Sequence, residues 1–110
     1  MPIVLTREVL KAQNRKFFGT GARSEENQSL GFRPAFMDAE TGLVYLSRFS
    51  DGRPAPFHLL DGLPDEIVLN RSALGRVVSV KSAVVSGFVL DQTFYTREEA
   101  AACASRLQTH

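Results

Sequence analysis

The sequence has no tryptophan, one cysteine, two methionines and two histidines in 110 residues. A single cysteine, Cys103, excludes an intramolecular disulfide and any zinc site built from several thiolates. With only His58 and the terminal His110 to offer imidazoles, no metal-ligand spacing is present and no metal is expected. No apolar run approaches the roughly 20 residues that a membrane-spanning helix requires. Residues 1–20 are polar and basic, without the apolar centre of a secretory signal, so the expected address is cytoplasmic, with no membrane partner. Charge of one sign is not in excess either. Thirteen cations against twelve anions leave +1, which excludes the strongly basic footprint of a dedicated nucleic-acid binder. Ser47, Ser50 and Ser86 lack a Gly-x-Ser-x-Gly context. Gly19-Thr-Gly21 lacks the Gly-Lys-Ser/Thr ending of a phosphate loop and reads as a helix end. No cofactor signature is found, and none is expected to be bound.

What is there fits one small α+β domain over residues 1–110. Apolar residues at 44% and charged residues at 23% are globular proportions, which argues against disorder and coiled coil. The charge is unevenly spread: +4 over residues 1–23, −5 over 24–70 and +2 over 71–110. Such a pattern closes on itself, stays solvated, or meets a partner.

Thr6 is placed to cap a helix over about 7–18, with Val9, Leu10, Gln13 and Phe17 on one face. Residues 32–38 and 43–49 alternate as the strands of a hairpin, turned by Ala39-Glu-Thr-Gly42. Pro34 has no N–H and predicts an edge strand. Residues 50–65, with Asp51-Gly, Pro54, Pro56, Asp61-Gly and Pro64, predict a long but ordered connection. Apolar runs at 66–70, 76–82, 83–90 and 94–95 then predict short strands in meander order. The expected sheet has about five antiparallel strands. Thr96-Arg-Glu-Glu99 is a capping box for a final helix over about 97–107, with Ala100, Cys103, Ala104 and Leu107 against the sheet. Leu5-Thr-Arg-Glu8 and Tyr95-Thr-Arg-Glu98 echo each other, which shared capping chemistry explains.

Three groups of residues bear on function. Phe32, Arg33, Phe36, Tyr45, Arg48, Phe49, Arg53 and Phe57 crowd into 26 positions. Arginine and aromatics are the residue types that dominate interface hot spots. Phe32, Arg33, Tyr45, Arg48, Phe49, Arg53 and Phe57 therefore form the candidate surface for a protein partner or a second copy of the chain. Arg7, Lys11, Asn14 and Arg15 lie within about 100° of one another on the first helix and could meet phosphates. His58 and Asp61 flank the 50–65 loop as candidate polar groups of a ligand pocket, where a histidine oriented by a carboxylate could act as a base. No catalytic residue is assigned. The expected function is a non-enzymatic interaction or regulatory module, with nucleic-acid binding and a small-ligand or enzymatic role as the alternatives.

Overall fold

A computed structural model describes residues 5–16 and 31–108, with side chains as far as Cys103. The expected helix end at Phe17–Gly21, the polar stretch 22–30, the side chains of Ala104 and Leu107, and His110 lie outside the described residues.

Helix α1 spans Arg7–Lys16. Thr6 caps it as expected: its hydroxyl accepts the Val9 N–H at 3.2 Å. Strands β1 (Arg33–Asp38) and β2 (Val44–Leu46) form the expected hairpin, and Gly42 supplies the positive φ at its turn. A 3-10 turn at Asp65–Ile67 leads into β3 (Val68–Arg71), which pairs with β4 (Val77–Val80). Strands β5 (Val84–Leu90) and β6 (Thr93–Thr96) form a second tight hairpin, in which Asp91 and Gln92 both take positive φ. Helix α2 spans Arg97–Gln108. Its capping box is reciprocal. Thr96 N–H donates to Glu99 Oε1 at 2.8 Å, and Glu99 N–H donates to Thr96 Oγ1 at 3.2 Å.

The α+β class holds, but the five-strand meander does not. A four-stranded antiparallel sheet runs β2-β1-β5-β6, and β3-β4 is a separate two-stranded ribbon. β4 does not pair with β5. Lys81 turns the chain instead: its N–H donates to Ile67 O, its carbonyl accepts Val84 N–H, and its ammonium reaches Asp38 at 3.1 Å and Glu40 at 2.9 Å. That corner aims β5 at β1, and the two pair from Arg33↔Val89 to Asp38↔Val84. Burial works to raise the Asp38 pKa. Hydrogen bonds from the Glu40 N–H and Lys81 outweigh it and hold Asp38 below the usual carboxylate range.

The expectation of an edge position for Pro34 is also corrected, because β1 lies between β2 and β5. The ring is accommodated because β2 ends beside it. Only the Pro34 carbonyl is used on that side, accepting Ser47 N–H at 2.9 Å, so the missing donor is not needed.

Alternation puts Phe36, Val84, Ser86 and Phe88 on one sheet face, and this face carries the core. Leu5, Leu10, Phe36, Leu60, Leu63, Ile67, Val77, Val80 and Val84 form one buried cluster beneath α1 and the β3-β4 ribbon. Phe32, Phe88 and Ala100 form a second, beneath α2, with Tyr95, Leu90 and Cys103 packed on it. Cys103 is thus the packing residue its helix position predicted.

Candidate functional site

Two arrangements of arginine and aromatic side chains stand out, one open and one closed. The open one begins where β2 ends. Ser47 is buried, and its hydroxyl is fully used: it donates to Phe57 O at 2.7 Å and accepts Leu59 N–H at 2.8 Å. The Ser47 carbonyl also accepts Ala55 N–H. This clasp holds the 54–59 segment beside the open end of β1 and leaves a groove of about 680 Å³ between them. Pro34 and Leu46 line one side, Pro54-Ala55-Pro56 the other, and Phe32 and Ser47 the base. The prolines fix φ, so the walls are set before anything enters.

Cationic and aromatic side chains adjoin the groove. Arg33 lines the groove, is exposed, and has no ion-pair or hydrogen-bond partner for its guanidinium among the described residues. Arg48, next to the lining residue Ser47, forms a β-bridge with Pro54 of the wall and donates to Gly52 O at 2.9 Å. Arg53 pairs with Asp51 at 2.7 Å and lies 5.2 Å over the Phe49 ring. Phe49 meets Phe57 edge-on at 6.0 Å, and Phe57 is 44% exposed. The Arg53 N–H and guanidinium together hold Asp51 below the usual carboxylate range.

Of the seven residues expected on this surface, Arg33 lines the groove, while Arg48, Phe49, Arg53 and Phe57 gather on the segment that continues into its Pro54–Pro56 wall. Phe32 is 2% exposed and belongs to the core beneath, and Tyr45 packs against the other core cluster. Phe36 is likewise fully buried.

The closed arrangement centres on Arg97, which is 2% exposed. Its Nε donates to Ser86 Oγ at 3.2 Å, one terminal nitrogen to Asn14 Oδ1 at 2.8 Å, and the other to His58 Nδ1 at 3.1 Å. The Ser86 hydroxyl in turn donates to Gln13 Oε1 at 2.5 Å. His58 donates from Nε2 to Gly87 O at 2.7 Å, which makes Nδ1 the acceptor. The ring stands edge-on to Phe36 at 5.4 Å and Phe88 at 5.0 Å, so it lies at the seam between the two core clusters. Arg97 also lies 5.9 Å over the Phe88 ring. Burial first, and then the Arg97 charge, lower the His58 pKa from its usual 6.5 to about 3, and the ring is neutral at ordinary pH. A smaller hollow of about 320 Å³ adjoins this node and is lined in part by Gln13, Ser86 and Arg97.

Asp61 has different partners from His58. Its Oδ1 accepts Arg7 at 3.0 Å and Val77 N–H at 3.2 Å, and Arg76 lies 3.7 Å from Oδ2. The basic stripe of α1 is divided in use. Arg7 holds Asp61 and Asn14 receives Arg97, while Lys11 and Arg15 are exposed. Part of the opposition between the basic start of the chain and its acidic middle therefore closes internally.

Arg97 was not singled out by sequence reasoning, and the prolines were read only as marking an edge strand and an ordered connection, not as walls. A signal for Arg97 was available. In both Thr-Arg-Glu echoes the arginine takes the first helical position, where the helix dipole disfavours a cation. Capping explains the threonine and the glutamate but not the arginine. The structure supplies the reason: Arg7 grips Asp61 and Arg97 grips His58, so the two helix starts hold one short segment. No protein-family model, curated protein or solved structure matches the chain.

Proposed function

We propose that the chain is a protein-interaction module that docks its partner at the groove beside β1, with Arg33, Arg48, Phe49, Arg53 and Phe57 as the contacting rim. The observation that carries this reading is the pre-formed groove of about 680 Å³, walled by prolines and held open by the Ser47 clasp. Fixed walls lower the entropic cost of binding. Exposed arginines and a half-exposed phenylalanine are the side chains that contribute most at such surfaces. The reading is one of binding because both ring nitrogens of His58 are engaged internally.

The test is capture from a nuclease-treated lysate by tagged protein, compared with an Arg33→Ala, Arg53→Ala double variant. Neither side chain is buried, so the variant is expected to keep its circular dichroism spectrum and melting temperature. Its affinity for the captured protein is expected to fall by about tenfold or more, roughly 1.4 kcal/mol. Equal capture by the folded double variant would overturn the proposal. So would retained material that disappears entirely on nuclease treatment, which would turn attention to Lys11 and Arg15.

A further inference from the structure

We infer that the groove receives an extended acidic segment of a protein partner, with carboxylates on the arginine rim and small apolar side chains between the proline walls. This inference rests on the interaction-module reading and names the chemistry of its partner. Arg33 lines the groove, Arg48 bridges to Pro54 of its wall and Arg53 directly precedes Pro54, three guanidinium groups against the one carboxylate of Asp51 among the described residues of this loop. The excess is positive, and Arg33 has its full set of donors available among the described residues. Arg48 and Arg53 are held by Gly52 and by Asp51 with Phe49, yet each keeps terminal N–H groups beyond those contacts.

The interior is different in kind. Pro34, Leu46, Pro54, Ala55 and Pro56 are apolar, and the Ser47 hydroxyl at the base is already spent on Phe57 and Leu59. A strand residue projects its N–H and C=O to one side, and alternate residues share that side. The Pro34 carbonyl faces the β2 side, so the backbone groups of Phe32 face it too, beyond the last residue of β2. An occupant therefore meets a short open strand edge, apolar walls and cations outside them. An extended chain with acidic side chains alternating with small apolar ones satisfies all three.

The probe is the peptide acetyl-Glu-Val-Glu-Val-Glu-amide, titrated at low ionic strength into the full chain and followed by amide chemical shifts. Its glutamine counterpart and a five-nucleotide oligouridylate serve as comparisons. The expected result is movement of the Arg33, Leu46 and Ala55 amides. Binding is expected to be about tenfold weaker for the glutamine peptide and for an Arg33→Glu variant, since rim charges act additively and are screened by salt. Equal binding of the two peptides, shifts confined to other residues, or no shift at millimolar peptide would overturn the inference. If the lysate partner is still lost in the Arg33, Arg53 double variant, the docking surface stands and only the acidic partner falls. Tighter binding of the oligouridylate at the same amides would overturn it in favour of nucleic acid.

Discussion

Arg53 over Phe49 and Arg97 over Phe88 are the same pair of residue types at similar separations, 5.2 and 5.9 Å, put to opposite uses. Arg53 is exposed. Its partner Asp51 lies two residues away and is exposed as well, so water and salt weaken whatever the pair contributes. Arg97 is buried and gathers groups from α1, β5 and the 50–65 loop. The difference lies in what each guanidinium would leave behind. Without Arg53, Asp51 returns to water. Without Arg97, Ser86 Oγ loses its donor in a buried place, and His58 Nδ1 and Asn14 Oδ1 lose theirs in half-buried ones. An exposed arginine is thus available to a partner, and a buried one is committed to the fold.

The largest effect should come from Arg97. Replacing it by Ala is expected to cost about 3 kcal/mol, on the order of 1 kcal/mol for each acceptor left without its donor. Urea denaturation would measure this. Arg97→Lys should recover less than half, because one ammonium cannot reproduce the planar fork that serves three acceptors. A loss below about 1 kcal/mol for Arg97→Ala would place Arg97 in the same class as Arg53 and end the contrast.

Next in size is the dependence on pH. The folded His58 pKa is depressed to about 3, while an unfolded histidine takes a proton below about 6.5. The unfolded state therefore binds more protons between these values. Stability contributed by neutral His58 is complete above pH 6.5 and is lost as pH falls toward 3. The slope approaches about 1.4 kcal/mol per pH unit. Asp38 and Asp51, both held below the usual carboxylate range, contribute in the same direction from about pH 5 downward. The range from about pH 5 to 6.5 therefore isolates the histidine. Melting temperature against pH in this range should slope for the native chain and flatten for His58→Gln. Equal slopes would show that His58 is not held neutral by the fold.

The smallest effect belongs to the exposed pair. Asp51→Ala should leave the urea midpoint almost unchanged, because water already screens the pair. By freeing the Arg53 guanidinium, it should strengthen capture of an acidic partner. Weaker capture would mean that Asp51 itself contacts the partner.

Much of the fold was legible because its signals are local. Thr6 and Thr96 cap the helices they announce, Gly42 turns the first hairpin, and alternation from Phe32 to Leu46 marks two strands. Pairing across the sheet was not legible. The run from Arg76 to Leu90 has the alternation of a hairpin. What separates β4 from β5 is a corner held by Lys81 on Asp38 and Glu40, residues remote in sequence. The candidate surface was half legible. Composition grouped Phe32 with Arg33 on one surface, although alternation separates them and the face with Phe32 and Phe36 turns inward. His58 attracted notice as a possible base. Its partner Arg97 did not, because a capping box already accounted for its neighbours.

The sheet order has a kinetic consequence. β1 and β5 meet only after the chain from Ala39 to Ala83 has been drawn into a closed loop, whereas the β1-β2 and β5-β6 hairpins close over short turns. Local pairings form quickly, and the entropy of long loop closure must be met before distant strands gain from contact. The proline wall is strung on that long loop. It is joined to β2 by the Arg48–Pro54 bridge and the Ser47 O to Ala55 N–H bond, contacts nearly as local as the hairpins, so the newly made chain would hold the walls of its groove before β1 and β5 close the sheet.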